Sequence, residues 1–408
     1  MNYRLSAVAR DVKASAVREI LKLTQNDSVI SFAGGLPAEE LFPKEALQQA
    51  FERVFQQGNR ALQYGLTEGY TPLREAIAAR MVQKGMPISS RDVLLTTGSQ
   101  QAIDLLARVL IEPGDVILVE DPTYLSALQI FRYHSAVVEP VQTDDDGMDL
   151  AALEQKILHL KPKFLYVTPT FGNPTGRVWS VERRQQLVTL CRLHDVLIVE
   201  DDPYGEIIFD PTASYPSIYS LDALDGGATV VYTSTFSKIV APALRIGWVM
   251  GHPTMIGALA RAKQAADLHS SSLDQQALFQ LLAHFDLDAH IAVIRTEYKK
   301  RMLLMDDLLT QYQLSGVRWN KPAGGMFLWL TLPETVMAED LLSVAVKEGV
   351  AFVPGTEFYA HIPEKNTLRL NFSHSAPLAL EAGVERLSRS LDHYLDTYDS
   401  QLVSHQLP

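Results

Sequence analysis

Between about residues 70 and 250 the chain alternates short, β-rich apolar runs with longer segments whose apolar residues recur every three or four positions. The runs occupy residues 93–97, 116–120, 137–141, 164–168, 197–201, 230–235 and 246–250. They are dense in Val, Ile and Leu and lack the polar alternation of a strand with one wet face, so each predicts a strand covered on both sides. Residues 100–110 and 181–194 are two of the helical segments between them. This rhythm predicts an α/β fold: a mostly parallel seven-stranded sheet sandwiched by helices. The link between the last two runs is too short for a helical crossover, so one strand there is expected to be antiparallel.

Beyond residue 253 the pattern turns helical, over 258–268 and in a long stretch from 275 to about 312. Strand patterns return at 326–330 and 367–372, with helical spacing at 339–348 and 378–398. This α+β portion predicts a second, smaller domain made of residues 1–43 and 299–408, beside a large domain spanning 44–298. Two domains also suit 408 residues, more than one core usually serves.

Composition narrows the function. A formal charge of −12 argues against nucleic acid or an anionic membrane as partner. Cys191 is the single cysteine, so no internal disulfide forms, and its apolar helical setting reads as core. With no apolar run of signal or membrane-spanning length, a soluble cytoplasmic protein is expected. No metal site is expected.

The chemistry gathers where strands end. In Thr97-Gly98-Ser99-Gln100 a strand stops at glycine and a helix begins, an arrangement that offers amide donors to phosphate. Asp121-Pro122-Thr123-Tyr124 places an aromatic ring after another strand. Thr168-Pro169-Thr170-Phe171-Gly172-Asn173-Pro174 builds a rigid loop around an amide; Asn173-Pro174 is expected to be cis, with Thr168-Pro169 a second candidate. Asp201 closes an apolar strand and, poorly solvated there, wants a cation; Tyr204 follows it. In Thr233-Ser234-Thr235-Phe236-Ser237-Lys238 an amine follows small hydroxyls, with Arg245 seven residues on. Each feature also has an ordinary reading as a helix cap, a loop tyrosine, a surface turn or a solvated charge. Together they converge on one ligand: a phosphate, an aromatic ring with a protonated nitrogen, and an aldehyde that takes a lysine as a Schiff base.

Over nearly its whole length, and in the same order, the chain resembles the fold type I pyridoxal 5′-phosphate enzymes, specifically class I/II aminotransferases. The resemblance implies that Lys238 carries the cofactor and moves the proton, that Asp201 pairs with the pyridinium nitrogen, and that Tyr204 and Asn173 bond the ring 3′-oxygen. It implies stacking by Tyr124 and phosphate binding by Ser99, Gln100, Thr235, Ser237 and Arg245. Tyr64, in Tyr64-Gly65-Leu66-Thr67-Glu68-Gly69, would reach the phosphate across a homodimer, and His269-Ser270-Ser271-Ser272 resembles a cross-subunit segment. Arg369 would bind the substrate α-carboxylate. Ser15-Ala16-Val17-Arg18-Glu19-Ile20-Leu21, Ala33-Gly34-Gly35-Leu36-Pro37 and Ala323-Gly324-Gly325-Met326-Phe327 resemble the kynurenine/2-aminoadipate branch. There the N-terminal segment covers the substrate, Arg18 would meet an acidic side chain, Gly35 would approach the substrate and Phe327 would wall the pocket. The implied reaction is ping-pong transamination of an aromatic, 2-aminoadipate-like or aliphatic L-amino acid with a 2-oxo acid, 2-oxoglutarate foremost. A lyase or decarboxylase on the same scaffold, or a non-catalytic regulatory module, are the alternatives. Regulators of this branch carry an N-terminal DNA-binding extension, which is not expected here.

Overall fold

The computed structural model describes residues 3–11, 19, 20, 28–224, 226–314 and 316–405. Numbering strands along the chain, β1 is Ile30–Ser31, β2 Val93–Thr96, β3 Val116–Asp121, β4 Val137–Asp144, β5 Gly147–Met148, β6 Phe164–Val167 and β7 Leu197–Asp201. They are followed by β8 Val230–Thr235, β9 Gly247–Met250, β10 Arg318–Trp319, β11 Phe327–Thr331, β12 Val350–Ala351, β13 Val353–Pro354 and β14 Thr367–Asn371.

The central sheet has the order β2-β9-β8-β7-β6-β3-β4-β5. Seven of these are the apolar runs, and the two-residue β5 adds an edge hairpin to β4. β9 is antiparallel to both its neighbours, β2 and β8, as the short link before it requires. The remaining pairings among β3, β4, β6, β7 and β8 are parallel.

Alternation along β6 explains why its run had to be apolar throughout. Phe164 and Tyr166 join a cluster on one face with Ile103 and Phe131, while Leu165 and Val167 join Leu187 and Cys191 on the other. Both faces are packed, so no position on the strand is free to be polar.

Residues beyond the central sheet form a four-stranded antiparallel sheet, β10-β11-β14-β13, and a short parallel pair, β1 with β12. The largest hydrophobic cluster is continuous from Trp248 and Tyr204 to Phe327, Leu328 and Leu368, so this sheet packs directly beside the site-bearing loops.

Two local expectations are corrected. The stretch from 275 to 312 is not one helix: Ser272–His284 ends at Phe285, and Leu287–Gln311 starts afresh at a 91° bend. Asp286 makes the break by capping, its carboxylate accepting the Ala289 N–H at 2.9 Å. The cis peptides are Asn173-Pro174 and Asp121-Pro122, whereas Thr168-Pro169 is trans. Among the described residues, no single helix is long and apolar enough to cross a membrane.

Candidate active site

All parallel strands of the central sheet end at one rim, where ligands collect in open α/β sheets. A cavity of about 910 Å³ opens there. It is lined by Ser99 and Gln100 after β2, Tyr124 after β3, Asn173 after β6, Asp201 and Tyr204 at the end of β7, and Thr235, Ser237 and Lys238 from β8 onward. Arg245 enters just before β9, while Gly35 and Arg369 come from the N-terminal segment and β14.

Three consecutive acids at the end of β7 show how the sheet assigns roles. Glu200 accepts the N–H groups of Ile218 and Tyr219 at 2.9 and 2.8 Å and so starts a helix. Asp202 accepts from Tyr232 Oη at 3.0 Å and the Gly205 N–H at 2.8 Å. Asp201 Oδ2 accepts from Tyr166 Oη at 2.7 Å, but its Oδ1 is buried without a partner. Burial, with Asp202 adding to it, pushes Asp201 up to about 7 against the Tyr166 bond. A carboxylate held so lacks a cationic donor.

Lys238 Nζ donates to the Gly35 carbonyl at 2.7 Å. Desolvation, then the guanidinium charges of Arg369 and Arg245, lower its pKa to about 8. About a tenth of this amine is therefore neutral and nucleophilic at pH 7, far more than for a solvated lysine.

Arg369 is 2% exposed. Its Nη1 donates to Asn173 Oδ1 at 2.6 Å and its Nη2 to the Ala33 carbonyl at 2.5 Å, while Nε has no partner. Burial lowers its pKa to about 10. The guanidinium lies 4.4 Å from the Phe327 ring centroid and 5.1 Å from that of Phe358.

The other end of the cavity suits an anion. Gly98, at φ +76°, begins the helix Ser99–Leu110, and no side chain caps it. The ordinary reading of this turn as a side-chain helix cap thus fails, and the helix N-terminus is left to a ligand. A Cβ at Gly98 would strike the Arg245 guanidinium. Arg245 donates to Ser237 Oγ at 3.3 Å, and Thr235 Oγ1 donates to the same oxygen at 2.9 Å.

Three expected residues stand apart. Tyr64 is 80% exposed and meets His269 edge-on at 5.8 Å, outside this cavity. Phe327, expected to wall the pocket, is fully buried in β11, packed under Arg369 and beside Gly35, and is not among the residues that line the cavity. Arg18 lies outside the described residues; its neighbour Glu19 lines the cavity, and Ile20 packs in a cluster with Leu125. Sequence reasoning missed Ser126 and Gln129, which face the cavity from the helix Leu125–Tyr133, and Tyr166, which reads as plain core until its hydroxyl is located.

The family model described as "Aminotransferase class I and II" matches residues 27–387. The chain belongs to the class I and II aminotransferases. The chain is 43% identical over 393 residues to an aromatic-amino-acid aminotransferase of Thermococcus litoralis, covering 95% of this chain and 93% of that one. The α-aminoadipate aminotransferase of Thermus thermophilus, solved with N-(5′-phosphopyridoxyl)-L-leucine, is 37% identical; TM-score 0.91, with 96% and 98% of the two chains covered. A kynurenine aminotransferase of Pyrococcus horikoshii is 40% identical at TM-score 0.90, again over 96% and 98%. The aminotransferase is thus a pyridoxal 5′-phosphate enzyme of fold type I that catalyses transamination. Its residues fit that cofactor: the open Asp201 oxygen suits a ring N–H, and the cradle at Gly98 and Arg245 suits a phosphate.

Proposed function

We propose that Lys238 is the attachment point and proton carrier, that Asp201 holds the pyridinium N–H, and that Tyr204 and Asn173 bond the ring 3′-oxygen. When bound, pyridoxal 5′-phosphate supplies an electron-withdrawing ring that stabilises negative charge at the substrate α-carbon. Tyr124 covers the ring face, and Ser99, Gln100, Thr235, Ser237 and Arg245 take the phosphate. Arg369 clamps the substrate α-carboxylate and thereby sets which bond at the α-carbon is presented for cleavage. Lys238 then removes a proton there and returns it elsewhere, a task suited to an amine lowered to about 8.

One observation carries this reading. Among the described residues, a buried guanidinium with a bare Nε and no carboxylate partner shares a cavity with Lys238 and with the open Asp201 oxygen. Such a charge is stable only provisionally and favours an incoming carboxylate.

The donors are aromatic, 2-aminoadipate-like or aliphatic L-amino acids, and 2-oxoglutarate is the acceptor in a ping-pong exchange. The names of the similar enzymes support this range, as do a mixed apolar and polar wall of Leu36, Leu125, Ser126 and Gln129. The enzyme works as a homodimer in which Tyr64 serves the partner's phosphate, a reading supported by its exposure. Residues 1–43 and 299–408 form the small domain, closing on the large domain of 44–298. The charge of −12 and the buried Cys191 support a cytoplasmic setting.

The test is spectroscopic. The purified protein should absorb in the visible, and the band should shift when donor is added and return with 2-oxoglutarate. Lys238→Ala should lose both responses. Release of ammonia or carbon dioxide without stoichiometric keto-acid exchange would refute the assignment.

A further inference from the structure

Lys263 is fully buried on the helix Pro253–Asp267 and does not line the cavity. Its ammonium donates to Gln101 Oε1 at 2.7 Å, to Ser270 Oγ at 2.8 Å, and to Asp267 Oδ2 and Oδ1 at 2.8 and 3.0 Å. Two of these partners lead to the same residue. Gln101 Oε1 also accepts the Thr97 N–H at 2.8 Å, and Ser270 Oγ lies 2.8 Å from Thr97 Oγ1. Gln101 Nε2 closes the ring by donating to Asp267 Oδ2 at 2.7 Å. Thr97 is therefore gripped by backbone and side chain at once. Its carbonyl in turn accepts from Arg245 Nη2 at 3.3 Å, and Gly98 follows it into the helix N-terminus.

We propose that Lys263 is a positioning residue for the phosphate end of the site, fixing the turn at Thr97 and Gly98 through Gln101 and Ser270. The proposal rests on the reading of that turn as the phosphate cradle. A neutral donor would serve one or two acceptors; an ammonium draws three groups to one point. Displacing any of them leaves a buried charge short of a partner, which makes the arrangement stiff. Stiffness matters because backbone donors discriminate an anion only if they are held in place before it arrives.

The cofactor itself separates this role from general scaffolding. Binding of pyridoxal 5′-phosphate and of pyridoxal, which lacks the phosphate, is measured by absorbance titration of enzyme stripped of cofactor. Release of the phosphate form from the holoenzyme is timed alongside. Lys263→Met should weaken the phosphate form by about tenfold or more and leave pyridoxal within about twofold. Gln101→Leu, at a partly exposed position, should act in the same direction and carries the test if Lys263→Met does not fold. Equal weakening of both ligands, or no change in either, would overturn the proposal. If the unmodified enzyme bound the two ligands equally, the phosphate reading of the turn would itself be wrong.

Discussion

Replacing Arg369 with methionine keeps an unbranched side chain between Phe327 and Phe358 and deletes the charge. The guanidinium is 2% exposed and held by two neutral acceptors, Asn173 Oδ1 and the Ala33 carbonyl. A pKa lowered to about 10 places a penalty on the charged form on the order of 3 kcal/mol. That penalty is relieved when a carboxylate arrives, so the empty site is already prepared for binding. Removing one partner of such a buried pair costs about 3–5 kcal/mol. At 1.36 kcal/mol per tenfold, kcat/KM for an amino acid should fall by roughly two to four powers of ten. Stability should barely move. The lost penalty is offset by two acceptors left without a donor, at about 1–3 kcal/mol each, so Tm should stay within a few degrees. The assay compares an L-amino acid with the matching primary amine, which has no α-carboxylate, each with 2-oxoglutarate as acceptor. A large loss for the acid alone is expected. Equal losses for both substrates, or less than a tenfold loss for the acid, would refute the reasoning.

Asp201→Asn tests the open carboxylate by stability. With Asp201 at about 7, the folded apoprotein keeps a proton that the unfolded chain releases near pH 4, so stability declines as pH rises between those values. The asparagine variant should gain denaturant midpoint over the unmodified apoprotein at pH 8 and match it at pH 4; the reverse order would contradict the assignment. Lys238, at about 8, should make cofactor attachment accelerate with pH up to that value and then level off, whereas a rise continuing to pH 10 would mean an ordinary solvated amine. Gly98→Ala combines a left-handed backbone at φ +76° with a methyl driven into Arg245. Beyond about 1–3 kcal/mol of backbone strain, it should speed cofactor release from the holoenzyme; unchanged release would remove Gly98 from the cradle.

Much of the architecture was legible because parallel strands advertise themselves. Residues 164–167 must satisfy an apolar neighbour on each face, and that demand is written as an unbroken apolar run. Site-bearing residues were legible for a related reason: polar groups rare in such runs cluster where the strands stop. The run 275–312 misled because helical periodicity continues across Phe285 and Asp286, and a cap that turns the chain by 91° leaves the apolar spacing intact.

Chain order and residue type alone therefore determined the longer strands, roughly where they end and which side chains have suitable chemistry, while the two-residue strands β1, β5, β10, β12 and β13 went unread. Only the folded molecule decided which of Glu200, Asp201 and Asp202 keeps an oxygen open, that Tyr166 steadies Asp201, and that Phe327 lies beneath Arg369. Local periodicity records how much water a position sees. Which partner it meets is settled by register and packing between residues 35 to 336 positions apart, and that information belongs to the tertiary structure.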